Sequence, residues 1–208
     1  MPKVLLLNGS PRANGCTRTA LDEMIKVFTE EGIDTELIHV GKEPLRGCIS
    51  CGQCHNLGKC VFDDIVNRTA PKFEEADGLV IGSPVYYSSP NGTILSFLDR
   101  LFYSSRFDKS MKIGAAVVSC RRGGNTATFD ALNKYFTISG MPVASSTYWN
   151  MVYGRTAEEV AKDLEGLQTM RNLARNMSFL IKAVADAKEK YGTPIVERTV
   201  MTSFADGK

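Results

Sequence analysis

Neither of the two most familiar nucleotide-binding loops occurs in this 208-residue chain. There is no G-x-x-x-x-G-K-[ST], which excludes the triphosphate-cradling loop, and no G-x-G-x-x-G, which excludes the usual dinucleotide fingerprint. Long hydrophobic runs are missing as well: the apolar stretch at the N-terminus, Val4–Leu7, is too short for a signal-peptide core or a membrane span. A cytoplasmic location with no membrane partner is therefore expected. Lys and Arg are scattered, with only Arg121 and Arg122 adjacent, and the formal net charge is +2. No basic tract for nucleic acid exists. The chain contains no internal repeat, low-complexity segment or linker. With 43% hydrophobic and 23% charged residues, residues 1–208 read as one globular domain.

What the chain does contain is organised around Val4–Thr17, VLLLNGSPRANGCT. A continuous apolar run ending in a Gly-rich loop suits a strand buried on both faces, the inner strand of a parallel sheet. The loop after it is built for an anion. Gly9 and Gly15 leave room for close backbone approach, Ser10 and Thr17 offer hydroxyls, and Arg12 offers charged donors. The helix that starts near Thr17 turns its free N–H groups and positive dipole end into the same space. One phosphate is expected there.

Further along, Leu21, Met24, Ile25 and Phe28 mark one face of a helix over 17–31, with Gly32 as its stop. Residues 33–40 read as an edge strand, on which His39 is expected to be solvated or hydrogen-bonded. Residues 41–64 break the periodicity and form an insertion. A short helix over 64–75, capped by Asp63 or Asp64, precedes the buried strand Gly78–Gly82. Ile94, Phe97, Leu98 and Leu101 make another helical face, Ile113–Ser119 a fourth strand, and Phe129, Leu132 and Phe136 a further helix. Met141–Ser145 is the expected fifth strand. Residues 156–191 form the longest helical pattern, opened by a capping box from Thr156 to Glu159. A helix of that span reaches about 50 Å, so a kink near Gly166 or a projection towards a neighbouring subunit is expected. The tail after Pro194 alternates weakly and is expected to wrap a partner.

Five strands alternating with helices predict an α/β, doubly wound parallel sheet of order 2-1-3-4-5, with the cysteine-bearing insertion after the second strand. In that order the loops after the first, third and fourth strands are neighbours at one end of the sheet. The second of them, SPVYYSSPNG, places Tyr86 and Tyr87 to flank a flat ring on a backbone stiffened by Pro84 and Pro90. The third, SCRRGGNT, has glycines that let backbone N–H groups reach a ring edge. No histidine or carboxylate lies in the three loops, so no side-chain acid or base is expected.

Together, G-S-P-R-x-N-G-x-T, S-P-V-Y-Y-x-x-P-x-G and the Gly-rich third loop resemble the NADPH-dependent FMN reductase family of flavodoxin-like folds, over roughly residues 3–150. The resemblance implies non-covalent FMN, a homodimer or higher homo-oligomer, and NAD(P)H as electron donor. It would put Ser10, Arg12, Asn14, Gly15, Cys16 and Thr17 on the phosphate. Pro84, Val85, Tyr86 and Tyr87 would lie along the ring, with Cys120, Arg121, Arg122, Gly123 and Gly124 near its edge. Cys16 departs from the small polar residue commoner there and reads as a tolerated variant.

The sharpest local signal is Cys48-x2-Cys51-x2-Cys54-x5-Cys60. Two x2 spacings and a short third gap gather four thiolates in a small volume, the economy of a [4Fe–4S] loop. The spacing resembles the compact cysteine motif of the iron–sulfur flavoproteins. Zinc, which usually pairs two C-x2-C units across a longer gap, and metal-free or disulfide-linked thiols are the alternatives. The expected function is an FMN-dependent oxidoreductase passing electrons from NAD(P)H to a small-molecule acceptor such as a quinone, flavin, nitro or azo compound. The alternative is an iron–sulfur flavoprotein carrier that relays electrons between a ferredoxin-like donor and FMN.

Overall fold

The apolar run becomes β1 (Lys3–Asn8), the inner strand of a parallel sheet in this computed structural model, which describes residues 1–197, 199, 200 and 202. From β1 the chain enters α1 (Cys16–Glu30) and returns in parallel as β2 (Asp34–His39). Gly32, at φ 70°, stops α1: its N–H donates to the Thr29 carbonyl, and the Ile33 N–H to that of Phe28. The insertion follows and holds the short α2 (Cys54–Leu57). Next come α3 (Ile65–Glu75), capped by the Asp64 carboxylate on the Val66 N–H at 3.0 Å, and β3 (Gly78–Tyr86) on the other side of β1. A two-residue strand, β4 (Ser89–Pro90), pairs back antiparallel on the end of β3 before α4 (Gly92–Ser104). Then β5 (Ile113–Cys120) joins β3 in parallel, α5 (Asn125–Ile138) crosses over, and β6 (Met151–Tyr153) joins β5. The chain ends in α6 (Ala157–Val160) and α7 (Leu164–Tyr191).

The sheet order is β2-β1-β3-β5-β6, with β4 off the path. Leaving out the small antiparallel β4, this is the predicted flavodoxin-like 2-1-3-4-5. Side-chain alternation along β1 divides the core. Val4 and Leu6 face α1 and α7, where they meet Leu21, Met24, Phe28, Met170 and Met177. Leu5 and Leu7 face the opposite layer, where they meet Val66, Phe73, Ile94, Phe97 and Leu101. Burial on both faces is why the run is continuous rather than alternating.

Two expectations are corrected. The fifth parallel strand is Met151–Tyr153 and not Met141–Ser145, from which only an isolated bridge, Gly114 to Val143, reaches the sheet. The β6 residues pair with Val118, Ser119 and Cys120 at the far end of β5, and the segment from 141 to 150 follows β5 from Gly114 to Val118 before β6 begins. The long C-terminal pattern is two helices, divided at 161–163 rather than kinked at Gly166. Asp163 caps the second, accepting from the Gly166 N–H at 3.0 Å and, through its other oxygen, from the Tyr153 N–H at 2.7 Å. Thr156 does cap α6, accepting from Glu159 N–H at 3.3 Å, while the Glu159 carboxylate takes the N–H of Arg155. Of the tail, residues 198, 201 and 203–208 lie outside those described, and the described tail residues carry no helix or strand. Among the described residues no helix is long and apolar enough to cross a membrane.

Candidate functional site

The loop after β1 is held by a residue to which the sequence assigned no role. Asn8, fully buried at the end of β1, accepts the Ser10 N–H at 3.0 Å and donates to the Ala13 carbonyl at 3.3 Å. The Ser10 hydroxyl accepts the Arg12 N–H at 3.2 Å, which tightens the turn further. From the neighbouring strand, His39 Nε2 donates to the Ser10 carbonyl at 2.7 Å, so the edge histidine is hydrogen-bonded. These bonds leave Gly15 to open α1 with no side chain capping it. An uncapped helix start carries free N–H donors and a positive dipole end, which suits an anion.

Two further loops meet this one. The end of β3 and β4 form a hairpin in which Val85 pairs with Pro90 and Tyr86 with Ser89. Its two turn residues, Tyr87 and Ser88, have φ of 49° and 58°, the left-handed pair that a two-residue hairpin of this hand requires. The third loop packs directly beneath. Gly124 has φ 83°, and a Cβ there would stand 2.7 Å from Ser88 Oγ and 2.9 Å from its Cα, so only glycine lets the two loops touch. Deeper in, Thr17 Oγ1 and Ser119 Oγ share a hydrogen bond of 2.8 Å that ties α1 to β5.

A cleft opens where the loops converge. Of the predicted site residues, Ser10, Arg12, Cys16, Thr17, Pro84, Val85, Tyr86, Cys120 and Arg121 line it. Asn14, Gly15, Tyr87, Arg122, Gly123 and Gly124 do not. Gly15 and Gly124 shape the backbone around it, and Tyr87 is fully exposed at the hairpin tip. Sequence reasoning missed Pro11, Ser119, Gly154 and Arg155, which complete the lining. The first two lie within motifs already singled out. The last two follow the misplaced fifth strand, and the Arg155 carbonyl accepts from Arg12 Nη1 at 3.4 Å. Burial pushes the Cys16 and Cys120 thiols above their ordinary range, so both stay protonated at neutral pH. The Cys16 thiol points at the Gly154 carbonyl, 3.5 Å away, in keeping with a tolerated residue rather than a nucleophile.

The insertion forms a second, separate cavity that shares no lining residue with the cleft. Cys48, Cys51, Cys54 and Cys60 all line it, together with Ile49, Phe62 and Tyr103. All six cysteines of the chain are free thiols. Donors reach two of the four sulfurs: the Ser50 N–H points to Cys48 Sγ at 3.4 Å, and Arg100 Nε to Cys60 Sγ at 3.3 Å. Among the described residues no three Cys, His, Asp or Glu side chains form a group that could hold a metal ion. The four thiols share the wall of one cavity. A single zinc requires sulfurs about 2.3 Å from one centre, whereas a cube binds each thiolate at its own iron. The donor set fits a cluster in chemistry, in number and in its shared cavity. The cavity packs on the last turns of α4, and Arg100 lies about 12 Å along that helix from its start near the cleft.

Residues 2–156 match the family described as NADPH-dependent FMN reductase. The chain belongs to that family. An iron–sulfur flavoprotein of Methanocaldococcus jannaschii is 32% identical over 194 residues, covering 88% of this chain and 98% of that one. Among solved structures, RosB with a bound intermediate, 8-demethyl-8-formylriboflavin-5'-phosphate, superposes with a TM-score of 0.73 at 17% identity, covering 100% of this chain and 95% of that one. An NAD(P)H:quinone oxidoreductase from Methanothermobacter marburgensis superposes with a TM-score of 0.64 at 14% identity, covering 84% and 95%. Those two likenesses establish the shared fold. The family membership makes this chain an FMN-binding, flavodoxin-like oxidoreductase.

Proposed function

We propose that this FMN reductase family member works as an iron–sulfur flavoprotein, with FMN in the three-loop cleft and a [4Fe–4S] cluster on Cys48, Cys51, Cys54 and Cys60. The single observation that carries the reading is that all four cysteines line one cavity, with N–H donors on two of the sulfurs. The name of the Methanocaldococcus relative, iron–sulfur flavoprotein, supports it. When bound, FMN supplies the step between two-electron and one-electron chemistry, and a cluster supplies single-electron transfer.

The chain's own residues bind and orient. Ser10, Arg12, Asn14, Gly15, Cys16 and Thr17 hold the phosphate at the start of α1, with Arg12 steered by the Arg155 carbonyl. Pro84, Val85 and Tyr86 border the ring plane, with Tyr87 exposed beside them at the hairpin tip. Cys120 and Arg121 border its edge, where the Arg121 guanidinium stabilises negative charge, and Gly124 shapes the loop behind them. No acid or base is required of the protein. The cysteine cavity lies down α4 from the cleft, so its cluster serves the flavin of its own chain or that of a second copy in a homodimer or higher homo-oligomer. Electrons reach it from a ferredoxin-like donor and leave to a small-molecule acceptor.

A second reading, direct oxidation of NAD(P)H with transfer to a quinone, flavin, nitro or azo compound, is favoured by the exposed Arg121 and Tyr86 at the rim of the cleft. Anaerobically purified protein tests both. Flavin absorbance with about four irons and four sulfides per chain, and flavin reduction by reduced ferredoxin but not by NAD(P)H, supports the carrier. Rapid NAD(P)H turnover in iron-free protein overturns it in favour of the reductase.

A further inference from the structure

Arg100 is out of place on α4. Ile94, Phe97, Leu98 and Leu101 form a helix face buried in the core, and Arg100, on the same helix, is only 1% exposed. A buried guanidinium persists only where its donors and charge are met. Here every partner belongs to the cysteine insertion or its end. Nη1 donates to Asp64 Oδ2 at 2.8 Å and to the Arg46 carbonyl at 3.3 Å. Nη2 donates to Asp64 Oδ1 at 3.1 Å and to the Phe62 carbonyl at 3.3 Å. Nε donates to Cys60 Sγ at 3.3 Å. Arg46 precedes the first of the four cysteines and Phe62 follows the last, so one side chain ties both ends of the loop to α4. Two guanidinium groups lie over the Phe62 ring, that of Arg100 at 5.0 Å and that of Arg46 at 5.4 Å from its centre.

The geometry points to Arg100 as the residue that positions the cysteine loop and raises the reduction potential of the cluster held there. The inference rests on the [4Fe–4S] reading proposed above. A ligand sulfur that accepts a hydrogen bond, and a positive charge beside it, both favour the more negative, reduced state. Asp64 opposes this. It neutralises part of the guanidinium charge while fixing its orientation through a two-oxygen fork. The two residues of one ion pair therefore act on the potential with opposite signs, which a space-filling role for Arg100 would not produce.

The test uses anaerobically purified full-length protein, titrated with dithionite and followed by the electron paramagnetic resonance of the reduced cluster. Arg100→Gln is expected to lower the midpoint potential. Asp64→Asn, which keeps a competent cap on Val66 N–H, is expected to raise it. Arg100→Lys keeps the charge and recovers part of the potential. Iron release to a chelator is expected to be several-fold faster in both Arg100 variants, with FMN content unchanged. If Arg100→Gln empties the site, positioning is supported and Asp64→Asn decides the potential: a midpoint that stays or falls overturns that half. Wild-type protein with its full iron, and variants that share its midpoint and release rate, overturns the role of Arg100 alone. Wild-type protein without iron overturns the cluster reading and this inference with it.

Discussion

Gly41 lies so close to Ser10 that a Cβ on it would stand 2.1 Å from the Ser10 carbonyl oxygen. The first residue of the insertion thus packs directly against the loop after β1. It does so from the same turn in which Val40 and Gly41 N–H groups donate to the Asn8 carbonyl at 2.9 and 3.1 Å. Both neighbours are backbone, so neither can rotate aside. Gly41→Ala is expected to displace Ser10, to destabilise the apoprotein by about 1–3 kcal/mol as other overpacked sites do, and to weaken FMN binding. Thermal unfolding and flavin fluorescence titration of one preparation measure both, and unchanged values in both would mean that the loop yields freely.

Arg12 is exposed, and among the described residues its side chain makes one hydrogen bond, to the Arg155 carbonyl. Arg12→Ala should therefore leave the apoprotein's melting temperature nearly constant. FMN affinity should fall by about 1.5–3 kcal/mol, the scale of a charge-assisted hydrogen bond. Unchanged affinity would remove Arg12 from the phosphate site.

The tyrosines of the second loop are surface residues, at 45% exposure for Tyr86 and 105% for Tyr87. Alanine at either position should alter the flavin spectrum or affinity while apoprotein stability stays within about 0.5 kcal/mol, as for surface substitutions generally. A stability loss of about 3–5 kcal/mol would instead signal core packing.

The cleft and the cysteine cavity share no lining residue. Serine at Cys48, Cys51, Cys54 or Cys60 should therefore strip or degrade the proposed cluster while FMN binding survives. Iron and flavin assays on each variant check this. Parallel loss of flavin would show that the insertion supports the cleft as well as the metal.

Glu36, on β2, is held below the ordinary carboxylate range, first by its hydrogen bond from Lys72 and then by Lys3, against the opposing effect of burial. A carboxyl depressed in the folded state adds stability above its unfolded pKa and loses it as pH falls through the folded value. Glu36→Gln should therefore destabilise the protein at neutral pH and flatten its stability profile on the acid side. Melting temperatures from pH 7 down to pH 3, compared between wild type and variant, test the sign. A difference that stays constant over the range would rule out Glu36 as a contributor to acid unfolding.

Much of the fold and most of the cleft were legible because the signals are local. The unbroken Val4–Leu7 run reports burial on both faces, Gly32 reports a helix end through its left-handed backbone, and Asp64 reports a helix start through its carboxylate. The glycines and hydroxyls between Gly9 and Thr17 mark a loop that lines the cleft. The fifth strand was not legible. Its three residues are a strand only because β5 supplies their partners, and Met141–Ser145 has the better apolar pattern without that edge to join. Gly154 and Arg155 were missed with it, since they reach the cleft only from the end of β6.

The sequence by itself determined the strand-and-helix alternation, the three loops that meet at one end of the sheet, and the four-cysteine spacing, each set by a few adjacent residues. Only the tertiary structure decided that Asn8 braces the loop after β1 and that the cysteines open onto α4 rather than into the cleft. It alone decided that Arg100 faces Cys60 across 40 positions of chain. Burying a polar or charged side chain is favourable only when partners from distant segments meet its donors and acceptors, and those partners exist only after the chain has folded.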